Sequence, residues 1–188
     1  GIINPLDRVI IGNPNQKFTF GFNSTFAYKN FDLNIFIEGV KGNNIFFQTG
    51  YKNLNSFQRG QNQLADFFGN YWTTEKPNPR AKYPKISAGT QMAASDRFIE
   101  DGSYLRIKTL QLGYNIPVRK MGAGFINKAR IYVKANNLFT LTNYIGLDPD
   151  VNTTGNDSQS VGSRLSMGTD TDGYPNARIY AVGVQLDF

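Results

Sequence analysis

The sequence predicts an all-β chain: an antiparallel meander of about five strands forming part of a transmembrane β-barrel, with a short helix inside one long extracellular loop. Three observations predict it. The final stretch, Arg178 to Phe188, alternates, with Tyr180, Val182, Val184, Leu186 and Phe188 on one face and Ala181, Gly183, Gln185 and Asp187 on the other. A strand that is apolar on one side and small or polar on the other suits a wall between lipid and water. The composition agrees: 15 Phe and 10 Tyr help bring aromatics to 14%, while charged residues reach only 18%, against about 25% in average soluble domains. Finally, the alternating segments are joined by connections that run short, long, short, long, as in barrels with brief periplasmic turns and extended outer loops.

The first strand is expected over 16–29, where Phe18, Phe20, Phe22, Phe26 and Tyr28 share a face that only Ser24 interrupts. Lys29-Asn30 reads as a tight turn, with Asn30 tolerating left-handed backbone angles. A second strand follows over 31–41, its apolar Phe31, Leu33, Ile35 and Ile37 opposing Asp32, Asn34 and Glu38. The connection 42–101 is too long for an ordinary loop of a compact domain, which marks it as functional. Within it Leu64, Phe67, Phe68, Tyr71 and Trp72 recur at helical spacing, so 61–72 is expected to be a short amphipathic helix, closed off by Pro77, Pro79 and Pro84.

The third strand, 102–117, changes parity: Leu105 and Ile107 are odd, whereas Leu110, Leu112, Tyr114 and Ile116 are even. A bulge near Thr109 reconciles them, and so does a strand whose outer part leaves the bilayer. Pro117 ends the strand, a Gly-containing turn follows, and 128–142 gives a fourth strand with Ile131, Val133, Ala135, Phe139 and Leu141 on one face. The second long loop is 143–175, and the fifth strand is 176–188. Five strands cannot close a barrel, because single-chain bacterial barrels use even numbers from about eight upward. The missing strands must come from elsewhere, and Gly1-Ile2-Ile3-Asn4-Pro5, which lacks a basic, apolar leader, leads us to expect a fragment of a longer protein.

Composition also excludes functions. With no Cys and no His, neither a thiol site nor a Ser-His-Asp arrangement can be built from this chain alone, and no spacing pairs a nucleophile with a base. We expect no enzyme and no cofactor. The net charge of +6 is scattered over turn-associated residues such as Lys29, Arg119, Lys120, Lys128 and Arg130, without a nucleic-acid-reading motif. Asp148, Asp150 and Asn152 begin like a calcium loop, but Gly155 falls too late for an EF-hand. Turn chemistry accounts for them, and for Asp170, Asp172 and Gly173. Tyr71 and Trp72 could present aromatic platforms to a ligand or partner; their helical spacing favours packing of the loop on its own scaffold.

Three segments carry a resemblance. Asp7 to Asn23 (DRVIIGNPNQKFTFGFN), Ser95 to Lys108 (SDRFIEDGSYLRIK) and Ala135 to Tyr144 (ANNLFTLTNY) are similar, in this order, to the closing part of SusC/RagA-type TonB-dependent outer-membrane transporters of Bacteroidetes. The resemblance implies a roughly 22-stranded barrel around a plug domain, importing glycans or other nutrient oligomers together with a SusD-like surface lipoprotein and energised by the TonB system. It places residues 1–188 as the C-terminal barrel segment, without the plug or the TonB-contacting N-terminal part. The row Tyr180, Val182, Val184, Leu186, Phe188 resembles the C-terminal signal read by the outer-membrane assembly machinery. Two other readings remain open: a passive porin segment, and a soluble cell-surface β-sheet module whose aromatic rows would be buried between two facing sheets.

Overall fold

The computed structural model describes residues 5–55, 62–63, 65–85, 94–118, 125–151, 167–171 and 173–188. The chain divides into two compact units, one of residues 15–43, 101–150 and 174–188, the other of 1–14, 44–100 and 151–173.

The first unit is one antiparallel sheet of five strands. In chain order these are β1 (Phe18–Tyr28), β2 (Phe31–Lys41), β5 (Tyr104–Ile116), β6 (Lys128–Thr142) and β8 (Ile179–Asp187), and they lie side by side in that order. Each strand pairs with its sequential neighbour in this sheet, the simplest way for strands on short turns to find partners. The β1–β2 hairpin closes with Tyr28 opposite Phe31, so only Lys29 and Asn30 turn the chain. The left-handed backbone falls on Lys29 (φ 55°) and not on Asn30 as the sequence suggested. Lys29 is the first loop residue, where a positive φ matches the twist of the flanking strands.

The parity change in β5 is a bulge. Phe36 sits opposite Thr109 and Ile37 opposite Ile107, leaving Lys108 as the extra residue against β2. On the other side Ile107 pairs with Phe139 and Thr109 with Asn136, and Asn137 absorbs the irregularity in β6 with φ 51°. Asn is one of the few residues that take this conformation at small cost.

The second unit holds a small sheet in the order β4 (Ile99–Asp101), β3 (Asn44–Phe47), β7 (Thr169–Asp170), with β3 and β7 parallel. Its helix, α1, is Gln48–Asn55, not the predicted 61–72. There the described residues form a single 3-10 turn, Ala65–Phe67, and Gln61 and Leu64 lie outside the described residues. Gly69 at φ 84° breaks the helical path, and the backbone beyond it turns to bridging: Trp72 N–H donates to the Tyr83 carbonyl and Tyr83 N–H to that of Asn70, both at 3.0 Å. Of the residues at helical spacing, Phe67 enters a buried cluster and Tyr71 stacks on it, while Phe68 is exposed. Phe67, Tyr83 and Phe98 are buried together with Phe46 and Tyr51 packed against them.

Candidate functional site

The two faces of the five-stranded sheet differ in chemistry along their whole extent, and register fixes which residue belongs to which. Reading across from β1 to β8, one row is Phe26, Leu33, Leu112, Val133 and Val182; the next is Tyr28, Phe31, Tyr114, Ile131 and Val184. Beyond the bulge the same face continues as Phe22, Ile37, Ile107 and Phe139. Without the extra Lys108, Ile107 and Leu105 would point to the opposite face. These side chains are not covered: Phe22 is 54% exposed, Val133 50% and Val182 82%. A soluble sandwich would bury such rows under a second sheet; here the apolar face stands open, as a lipid-facing wall does. β1 spans 11 residues, about 34 Å at the usual rise and about 26 Å at a barrel strand's tilt, close to the apolar band of about 25 Å in outer-membrane barrels.

The opposite face carries polar and charged groups that satisfy one another. Asn34 Nδ2 donates to Asn23 Oδ1 (3.2 Å) and Thr25 Oγ1 (2.9 Å). Glu38 accepts from Tyr104 Oη at 2.9 Å and pairs with Lys108 at 3.4 Å, so the bulge residue is used on the polar side. Nearer the short turns, Arg130 forks onto Asp32, its Nε donating to Oδ1 at 3.0 Å and its Nη2 pairing with Oδ2. The two reach each other across β5 because Gly113 lies between them: a Cβ there would collide with both side chains.

At the other end the polar face is closed by Arg106. Its side chain is 1% exposed, and its guanidinium pairs with Asp148 through Nη2 and with Asp150 at 3.3 Å through Nη1, while Nε donates to Thr140 Oγ1 at 2.9 Å. The Tyr104 ring lies 5.0 Å below it. Asn176 completes the cluster from the segment before β8, its backbone N–H donating to Asp148 (2.9 Å) and its Nδ2 to Asp150 (3.2 Å). Burial pushes the Asp148 carboxyl up, but the N–H groups of Asp150 and Asn176 and the Arg106 guanidinium outweigh it and hold the group below the ordinary carboxylate range. A carboxylate lowered in this way contributes its stability above the unfolded value of about 3.9 and loses it as the pH falls through the lower folded value. Asp148 is therefore charged at neutral pH.

The sequence-predicted residues fall as follows. Tyr180, Val182, Val184 and Leu186 lie along β8 on the open apolar face, with Phe188 just past the strand and 73% exposed. Tyr71 stacks on Phe67 at 4.8 Å and 7°, and it and Trp72 are exposed to the same extent, 37% and 38%. The calcium-like spacing of Asp148 and Asp150 resolves into an internal cation, the guanidinium of Arg106; Asn152, Gly155 and Asp172 lie outside the described residues. Among the described residues no His/Cys/Asp/Glu cluster is arranged to hold a metal. Sequence reading passed over Arg106 itself. Its one visible signal was its place on the polar face of a strand, 42 residues before its first carboxylate partner.

No protein-family profile matches the chain. It is 35% identical over its full length to TonB-dependent receptor P3 of Formosa agariphila, of which it spans 18%, and 25% identical to TonB-dependent receptor SusC of Bacteroides thetaiotaomicron, of which it spans 17%. Among solved structures it superimposes on the RagAB peptide importer in the closed-closed state with a TM-score of 0.76 at 26% identity, covering 95% of this chain and 18% of that one. The open-open state gives 0.70 at 27%, covering 90% of this chain and 17% of that one. A continuous sheet with one open apolar face and one self-satisfied polar face defines a wall segment of an outer-membrane β-barrel. The whole-length similarities narrow this further: over its full length the chain matches a segment of TonB-dependent outer-membrane receptors that include SusC and the RagAB importer, and it spans less than a fifth of the relatives it matches.

Proposed function

We propose that residues 1–188 form the C-terminal wall segment of an active importer of glycans or other nutrient oligomers. The connections 42–101 and 143–175 face the outside, and the short turns face the periplasm. The observation that carries this reading is the register: five strands keep one apolar face in line across the sheet, the bulge included. A SusD-like lipoprotein partners the importer at its outer side, and the TonB system supplies energy through parts outside this chain. The likeness to RagAB, an importer by its own description, supports import over passive diffusion. A plug domain encoded upstream would separate this reading from a porin. Tyr180, Val182, Val184, Leu186 and Phe188 serve as the assembly signal. Tyr71 and Trp72 meet ligand or lipoprotein.

Neighbouring residues on opposite faces test the placement. In the full-length receptor Leu112→Arg puts a charge into lipid at a cost of about 2–4 kcal/mol, whereas Gln111→Arg puts it into the polar lumen. The yield of heat-modifiable, membrane-inserted protein should fall sharply for the first and hold for the second. Equal effects would sink the assignment of faces. Uptake of a labelled oligosaccharide and a labelled peptide, with and without TonB, then separates active import from leakage.

A further inference from the structure

We propose that Arg106 is a positioning residue acting as a tethered cation: its guanidinium fixes both stems of the second long connection to the barrel wall, and so sets the stance of the outer rim at which ligand is captured. The inference rests on the reading that this end faces outside. It goes beyond that reading by assigning one side chain to the task.

Three chain segments meet at the guanidinium, and a fourth joins through its carboxylate partners. Arg106 belongs to β5, Thr140 to β6, Asp148 and Asp150 to the stem leaving β6, and Asn176 to the stem entering β8. The departing stem is tied further down, where Tyr144 N–H donates to Thr142 Oγ1 (3.1 Å) and Thr142 Oγ1 donates to the Ser103 carbonyl (2.9 Å). The entering stem is tied by Asn137, whose Nδ2 donates to the Ala177 carbonyl at 3.0 Å. Remove the guanidinium and these flanking bonds remain, but Asp148 and Asp150 face each other without a counter-charge. Two carboxylates in that position repel, so the departing stem shifts and no longer holds fixed the two acceptors to which Asn176 of the entering stem donates. A lysine would restore the charge while lacking the planar fork that reaches both carboxylates and Thr140 together.

A divalent ion bound between two aspartates commonly does this work at cell surfaces. Here the cation is built into the chain, so the rim should hold its shape whatever the surrounding ion concentration.

Leu147 and Tyr174 are 75% and 94% exposed, one on each stem, and take spin labels without disturbing the clamp. In the full-length receptor in outer membranes, the distance between labels at 147 and 174 should be narrowly distributed and unchanged by EDTA or added calcium. Arg106→Ala should broaden that distribution roughly twofold while leaving the amount of heat-modifiable barrel unchanged. Arg106→Lys should recover part of the width, and so should guanidinium ion added at sub-denaturing concentration to Arg106→Ala. The proposal is overturned by an unchanged distribution in an assembled Arg106→Ala, by broadening that neither lysine nor guanidinium relieves, by loss of the assembled barrel itself, or by EDTA broadening the wild type. A membrane-impermeant maleimide on intact cells, applied to a lone cysteine at 174, checks the orientation separately. Absence of labelling there would refute the outward placement without touching the clamp.

Discussion

At the scale of single residues, the glycines explain how a polar face made of large side chains stays compact. Along one row of that face the residues run Ala27, Asp32, Gly113, Tyr132 and Gly183, small alternating with large. The Asp32–Arg130 pair occupies the space over Gly113, and the Tyr132 ring that over Gly183. Filling such a space forces its occupant out, and overpacking of this kind costs about 1–3 kcal/mol. Gly113→Val should accordingly displace the Arg130–Asp32 fork and lower the urea midpoint of the refolded receptor, whereas Gly173→Ala, at a position with nothing within 4 Å of an added Cβ, should leave it unchanged. An equal response at both positions would show that the crowding over Gly113 is relieved at no cost.

At the scale of elements, the bulge in β5 has the sharpest consequence. Deleting Lys108 shifts the register of everything before it by one, turning Leu105 and Ile107 inward and sending Tyr104 and the Arg106 cation toward lipid. The deletion should abolish membrane insertion of the receptor, while Lys108→Ala, which keeps the residue count and loses only the pairing to Glu38, should insert normally; pulse labelling of membrane fractions reads both. This bulge was legible in the sequence because period-two alternation is strict, and a parity change from Ile107 to Leu110 has few other physical causes. The five-strand meander was legible for the same reason. The helix was not. Phe67, Phe68, Tyr71 and Trp72 mimic a helical face, and nothing local says that Tyr83 will bridge to Tyr71 or that Gly69 will turn left-handed. The helix that does form, α1, places Gly50 where the Phe47 ring needs the room and turns Tyr51 onto Phe98 at 5.4 Å. Those are tertiary reasons, invisible to a periodicity count. The Arg106 clamp escaped for a related cause: sequence places two aspartates two apart, but only the sheet brings a guanidinium between them.

At the scale of the whole molecule, the sheet has, among the described residues, two unpaired edges, β1 and β8, and one face of exposed aromatics and aliphatics. Either feature invites association. The 188-residue chain expressed alone should therefore need detergent or refolding and should self-associate, as read by light scattering; a monodisperse monomer in plain buffer would favour the soluble cell-surface module instead. The polar face leads somewhere different. Phe36 leans over Gly21, Tyr132 over Gly183 and the Asp32–Arg130 fork over Gly113, so several of its bulkiest groups lie flat along the wall. Side chains laid down in this way take up little radius. A wall finished in this manner keeps its polar surface within short reach of its own backbone, its thickness set by where the glycines fall.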